Sequence, residues 1–572
     1  MSVALGLGFV HSHGGVGDYH LVETMGSGGA FIDYDCDGWL DLYLVDGHSL
    51  SHLQTAGAPN PVNLLRRGYD GFFVTRGERL APRFDGMVSE AASTVTPDAL
   101  SASGNKLYRN QMGDRFQFIP DAAGAADPGY GMGCAVGDAN GDGASDLYVT
   151  NYHRNQLYLN VQSSFRPNPA AADSHWSTSA TFLDYDLDGD LDLYVANYLD
   201  YSPANNRVCG GVSDLGATTS GLREMRIQDD QRTYCSPRYY NGAPDVLYRN
   251  GGDGRFDDVS AAVGVFDVFG KGLGVVAGDF DDDGDPDLYV ANDGVRNSLW
   301  RNDRIHGGRR FKNVAVLAGA AYGATGTPQA GMGVDVGDLD GDLDLDLVVT
   351  NFSREHNNLY RNDDGLHFTD VPVEAGLGEA SLLPLGFGAL LADLDHDADL
   401  DLFVANGHVM DRVTAMDGEL AHAQPDQLFI NEAGRFRQAP FVGQLPPLVS
   451  RGAAMGDYDR DGDLDLLVTA NAGPARLFRN DRAPGNWLVV QLRGKVGNPF
   501  GIGARIEVHC AGSTQVREIR RNRSYLSSSS ADAHFGLGTC TWVEGVKVRW
   551  PGGEISERAG VEANRYLLVR RG

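Results

Sequence analysis

Asp33, Asp35, Asp37 and Asp41 put four carboxylates at positions 1, 3, 5 and 9 of one short loop. The spacing returns six times: Asp138, Asn140, Asp142 and Asp146; Asp184, Asp186, Asp188 and Asp192; Asp279, Asp281, Asp283 and Asp287; Asp338, Asp340, Asp342 and Asp346; Asp393, Asp395, Asp397 and Asp401; Asp457, Asp459, Asp461 and Asp465. Asn140 is the one departure from Asp among these side chains. Carboxylates held so close repel one another, and a divalent cation between them reverses the sign. Oxygen ligands at this spacing suit Ca²⁺. The expected cofactor is therefore calcium, up to seven ions, mainly structural. Position 7 varies in type, from Trp39 to Ala144 to Asp463, as fits a residue offering its backbone carbonyl.

An EF-hand needs a bidentate Glu at position 12 and flanking helices. Here position 12 is Leu44 or Val, and the run after position 9 is β-branched and aromatic, as in Asp287-Leu-Tyr-Val-Ala. Such runs favour strands. Position 6 wants glycine for its sharp turn. Five loops supply it, whereas the fifth has Leu343 and the sixth Ala398, where weaker binding or strain is expected.

Other chemistry is sparse. No metalloprotease, nucleophile-elbow, P-loop or Cys-x-x-Cys motif occurs. His11, His13, Tyr19, His20 and Glu23 cluster near the start, and His48 and His408 each follow a glycine at a strand end. These side chains suit either general acid/base work or hydrogen bonding to loop backbone. Arg517, Arg520, Arg521 and Arg523, interrupted by Glu518, read as a solvated strand face or, less simply, an acidic-ligand patch. Of six cysteines, Cys209 with Cys235 and Cys510 with Cys540 are close enough in sequence to staple one element each. Cys36 and Cys134 fall on neighbouring repeats and are a third candidate pair; unpaired buried thiols are the alternative.

The elements that position these residues also repeat. Each loop is preceded by a small-residue run such as Gly272-Leu-Gly-Val-Val-Ala-Gly278 and followed by a Leu-aromatic-x-Asn element, such as Leu247-Tyr-Arg-Asn250. Four short strands per repeat, seven times, predict an all-β chain: a seven-bladed β-propeller over residues 1–482, with a small β-domain over 483–572. Two long loop-to-loop gaps mark insertions at about 47–105 and 198–245, read as functional loops or as decoration of one face.

The Asp-x-Asp-x-Asp-Gly-x-x-Asp-Leu loops resemble FG-GAP/VCBS repeats of integrin-α-like propellers. Asn486-Trp-Leu-Val-Val, Gly501-Ile-Gly-Ala-Arg505, Ser524-Tyr-Leu-Ser527, His534-Phe-Gly-Leu-Gly538 and Val548-Arg-Trp-Pro551 look like the ASPIC/UnbV domain. Together they resemble the cartilage acidic protein 1 (CRTAC) family and its bacterial relatives. The resemblance implies a secreted, acidic, calcium-binding propeller. It also implies a rival reading, since UnbV-type relatives occur in enediyne biosynthesis clusters: a cofactor-independent cyclisation or bond-forming enzyme with its site on the propeller face.

Net charge is −30. Seven calcium ions add fourteen positive charges and bring this to −16, still unsuited to nucleic acid. No apolar run is long enough for a membrane span. Met1-Ser-Val-Ala-Leu-Gly-Leu7 reads as the tail of a longer element, and no signal peptide stands at Met1. The expected location is secreted or periplasmic if the natural chain extends upstream, and cytoplasmic if Met1 is the true start. The expected role is binding, with a protein, glycan or small molecule on the propeller face as partner.

Overall fold

The computed structural model describes residues 2–3, 7–15, 17–48, 104–210, 232–306, 308–441, 445–481 and 484–572. Seven antiparallel four-strand units follow one another along the chain. The first uses Gly29–Ile32, Asp41–Leu44, Lys106–Asn110 and Phe116–Ile119. The last uses Ser450–Gly456, Asp465–Ala470 and Arg476–Arg479, and takes its fourth strand, Ser2–Val3, from the start of the described chain. Each Asp loop joins the first strand of its unit to the second, so all seven loops lie on one face.

The first strands are small-residue strands because they crowd the centre. A Cβ on Gly333 would stand 2.0 Å from the Phe387 carbonyl oxygen of the next blade, and one on Gly274 would stand 2.3 Å from that of Met332. The second strands carry the apolar load: Asp-Leu-Tyr-Val-Ala-Asn at Asp287–Asn292 is buried throughout. Successive blades share hydrophobic clusters across their interfaces, with Ala30, Val45 and Leu107 meeting Val136 and Leu147, for example. Burial of this kind contributes roughly 25 cal/mol per Å² of apolar surface.

A ring of asparagines closes the circle. The Asn ending each Leu-aromatic-x-Asn element donates its side-chain N–H to position 2 of the preceding blade's loop. Asn160 reaches Tyr34 O, Asn250 Ala139 O, Asn302 Tyr185 O, Asn362 Phe280 O, Asn431 Leu339 O and Asn480 Leu394 O. Asn110 of the first blade reaches Tyr458 O of the seventh, which completes the propeller.

The C-terminal part has a three-strand and a four-strand sheet seated on the Asp-loop face. Its apolar core is continuous with that of the second and third blades: Leu488, Ile506 and Trp550 share a cluster with Ala139, Phe182 and Leu191. Between the two sheets, residues 519–530 leave this part and run down the propeller axis. Arg521 Nη2 donates to Phe31 O of blade one, and Cys134 N of blade two donates to Leu526 O. Phe182 N of blade three meets Asn522 Oδ1, and Gly274 of blade four packs against the Ser524 carbonyl. Ser524 and Val334 of blade five exchange backbone hydrogen bonds. The Tyr525 ring sits 4.9 Å from Phe387 of blade six, and Ser530 N donates to Met455 O of blade seven.

This axle corrects two expectations. The arginine cluster is no solvated strand face: Arg520 and Arg521 are buried, and Arg523 keeps 10% side-chain exposure beside fully buried Asp335. Their guanidiniums satisfy carbonyls that the inner strands leave facing the axis, as Arg520 does for Val336 O. The Cys36–Cys134 pairing also fails. Cys36 is exposed in its loop while Cys134 is buried on an inner strand against the axle, and both are free thiols. Cys209–Cys235 and Cys510–Cys540 are disulfides. The first insertion lies mostly outside the described residues.

Candidate functional site

The Asp loops share one geometry. Position 9 is a bridge: each of its oxygens accepts a backbone N–H, one from loop position 2 and one from the Asn of the third strand. Asp41 takes Tyr34 N at 3.1 Å and Asn110 N at 2.7 Å, and Asp401 takes Leu394 N and Asn431 N, both at 3.0 Å. Position 1 accepts from position 6, as Asp184 does from Gly189 N at 3.1 Å. That turn needs a left-handed position 6, and φ is near 90° at Gly38, Gly143 and Gly284. Leu343 (77°) and Ala398 (89°) adopt it without glycine's freedom, so the strain expected at these two loops is present. Position 4 is left-handed in all seven loops, at Cys36, Gly141, Leu187, Asp282, Gly341, His396 and Arg460, a regularity the side-chain pattern hid.

Carboxylate oxygens converge in these turns. Asp33, Asp35 and Asp37, or Asp393, Asp395 and Asp401, bring one oxygen each within 4.8 Å of the others, and loops three, four and five have like groups. At several of these carboxylates the protein holds one oxygen and leaves the other. Asp35 Oδ2 meets Arg109 Nε at 2.6 Å, Asp279 Oδ2 meets Arg549 Nη2 at 3.2 Å and Asp457 Oδ2 accepts from Tyr566 Oη at 2.5 Å. Oδ1 of all three is buried without a hydrogen-bond partner, as are Oδ1 of Asp184, Asp281, Asp395 and Asp459. Burial pushes Asp184, Asp279, Asp393 and Asp457 up to about 7, and Asp41, Asp146, Asp346 and Asp401 up to about 8. Orphaned acceptors and carboxyls this hard to ionise fit an oxygen-coordinated cation in the first, third, fourth, sixth and seventh turns.

The opposite face holds a cavity of about 500 Å³. Its floor is the channel mouth, with Leu273 and Phe387 from inner strands and Met332 just before another. Its walls are residues that follow the second strands, Asp293, Phe352, Glu355 and His408, together with Tyr198, Tyr234 and Arg238 of the second insertion. The Cys209–Cys235 bridge and a two-residue ladder, Cys209–Gly210 with Arg232–Thr233, hold the described part of that insertion in place.

His408 is buried, and its Nδ1 accepts Met410 N at 3.0 Å. The neutral ring therefore carries its proton on Nε2, which has no partner. Burial drives this histidine down to about 3, so it stays neutral. Tyr198 Oη donates to Asp293 Oδ2 at 2.5 Å. Glu355 Oε2 accepts Ala330 N at 2.8 Å, and burial lifts its carboxyl to about 7.

The chain-start candidates gather behind one wall. Tyr234 Oη donates to Glu23 Oε2 at 3.2 Å, and burial raises Glu23 to about 7. His20 Nδ1 lies 2.6 Å from Tyr201 Oη, and the Tyr19 ring packs edge-on against Tyr234. A Cβ on Gly15 would come within 2.7 Å of His13 Nδ1 and 2.9 Å of Glu23 Oε2, which places His13 and Glu23 side by side. His11 Nδ1 accepts Ala472 N, so backbone bonding describes His11 and His408 alike. His48 is half-buried at the end of the described first segment.

Arg451 escaped the sequence reading. It is buried, donates to Thr24 O, Gly407 O and Ser450 O, and stacks 4.0 Å from the Phe387 ring. Its signal was present: a lone arginine in a small-residue strand, Ser450-Arg-Gly-Ala-Ala.

Two family matches agree with this division of the chain. The ASPIC and UnbV family matches residues 494–572, and the FG-GAP-like repeat matches residues 138–195, 235–290, 279–349 and 338–404. Cartilage acidic protein 1 of Mus musculus is 25% identical over 486 residues, and that of Xenopus tropicalis 28% over 484. These alignments cover 77% and 76% of this chain but 65% and 63% of those proteins, less than two thirds of their length. An Agrocybe aegerita lectin that recognises non-reducing terminal N-acetylglucosamine aligns over 66% of this chain and 88% of its own, with 13% identity and a TM-score of 0.36.

Proposed function

This chain belongs to the cartilage acidic protein 1-like family, FG-GAP repeats closed by an ASPIC/UnbV domain, and on that footing we propose that it is a calcium-cemented binding propeller whose far-face cavity takes a small oxygen-bearing ligand. One observation carries the ligand reading: His408 Nε2–H, buried and unpartnered, on the wall of an aromatic cavity. A buried donor without an acceptor costs about 1–3 kcal/mol, which a ligand oxygen would recover. Volume and lining also suit a small-molecule site. Tyr198, Tyr234, Phe352 and Phe387 offer ring faces, and Asp293, Glu355 and Arg238 offer polar contacts.

In the loops, positions 1, 3, 5 and 9 would hold the ion with the position 7 carbonyl, and position 9 would also brace the turn through the two N–H groups it accepts. Calcium would supply charge neutralisation; the residues supply the preformed turn and the bridge to the third strand. Many modest calcium sites and two disulfides support a location outside the cytosol.

The test has two arms. Elemental analysis should find five to seven calcium ions per chain, with a large fall in melting temperature on chelation; few ions and an unmoved melt would reject the cement. Thermal-shift screening of oxygenated small molecules and glycans should yield ligands whose effect His408→Ala removes. Ligands bound equally by that variant would reject the cavity.

Acid/base catalysis is a second reading, favoured by the Glu23–Tyr234 pair. A carboxyl held near 7 is half-protonated at neutral pH and can give or take a proton. Glu23→Gln would then abolish turnover of a bound compound and leave its binding intact.

A further inference from the structure

Two histidines and an aspartate come together where the C-terminal part meets blades six and seven. His396 occupies position 4 of the sixth loop and is fully buried. Its Nδ1 faces Gly485 O at 3.3 Å. His534, 6% exposed, turns its Nε2 to Gly462 O at 2.9 Å. A nitrogen facing a carbonyl carries the proton, so each ring is left with one lone pair: Nε2 of His396 and Nδ1 of His534. Neither has a hydrogen-bond partner. Asp463, next to Gly462, brings Oδ1 to 3.6 Å from His396 Nε2. Two neighbouring imidazoles, each with a lone pair to spare, thus lie in the interior with a carboxylate oxygen 3.6 Å from one of them.

We infer that His396, His534 and Asp463 form a site for a borderline divalent cation of the zinc type, distinct from the oxygen-only Asp turns. Zinc accepts two imidazoles and a carboxylate, whereas calcium prefers oxygen alone. The ring centroids stand 4.9 Å apart at 34°. Two imidazoles sharing one ion at about 2.1 Å and a near-tetrahedral angle have centroids roughly 5 Å apart. Each ring donates its other N–H to a backbone carbonyl, the outer-shell bond that fixes tautomer and orientation in histidine–metal sites. Close packing holds His396 in position. A Cβ on Gly536 would lie 2.5 Å from its Cα, and one on Gly485 2.7 Å from its Cβ. The three ligands come from loop six, loop seven and the C-terminal part, so the ion would clasp that part to the ring.

The experiment uses the full chain saturated with calcium, so that any Asp turn able to take calcium holds it. Cobalt(II) is then titrated in as a coloured stand-in for zinc. The expected result is one equivalent bound with visible ligand-field bands, displaced by zinc, and weakened at least about tenfold in His396→Asn and His534→Gln. Zinc-edge X-ray absorption on the wild type, which needs no variant to fold, should show imidazole in the first shell. No uptake by the calcium-saturated chain, uptake unchanged in the folded double variant, or an oxygen-only shell would each overturn the site.

Discussion

At position 9 of every loop the same carboxylate meets the same two N–H groups, and the following Asn side chain spans to the neighbouring blade. Asn302 Nδ2 serves both Tyr185 O and Pro286 O from a buried position. Asn302→Ala strands both carbonyls, with an expected loss of about 1–3 kcal/mol in urea unfolding. Ala398→Gly works the other way. It relieves a left-handed alanine, worth roughly 1–2 kcal/mol, against the added freedom of unfolded glycine, about 0.4–1 kcal/mol. The expected net is a gain of up to about 1.6 kcal/mol in urea unfolding, and a loss there would show that Ala398 packs better than its φ suggests. The loops were legible because charge repulsion dictates both residue type and spacing. The second task of position 9 was hidden, since Asp reads alike as metal ligand and as N–H acceptor.

The element the sequence concealed is the axle, residues 519–530. A run of four arginines and one glutamate has the composition of a solvated strand, and only the ring's own geometry shows why it is buried. Seven inner strands turn carbonyls and N–H groups toward a narrow axis, and each must find a partner. Arg523 faces Asp335, whose two oxygens already accept Val336 N and Leu391 N. Arg523→Ala would remove the cation and keep the buried carboxylate, for an expected loss of about 3–5 kcal/mol. Arg523→Lys should restore part of it. Equal unfolding midpoints in all three proteins would show that Asp335 needs only its N–H donors. The blades themselves were readable from alternation, turn residues and repeat length, all local signals. The axle is a contact among parts hundreds of residues apart.

For the molecule as a whole, the buried carboxyls set an electrostatic balance that pH and metal move in opposite directions. Asp146, Asp346 and Asp401 are raised to about 8 by burial. Without metal the folded state binds protons more tightly than the unfolded chain, so their contribution is full below about pH 4 and is lost as pH rises through 8. With metal the ligands must be ionised, and stability rises with pH over the same range. Melting curves at pH 5 and 8 should therefore shift in opposite senses in chelator and in calcium; parallel shifts would reject metal-linked loops. The axle also imposes an order in time. A ribosome delivers blades one to seven well before residue 519, so the nascent ring waits with an unfilled bore lined by unpaired backbone groups. Any pause or premature stop in the last stretch of translation leaves a chain with every blade present and nothing to thread them.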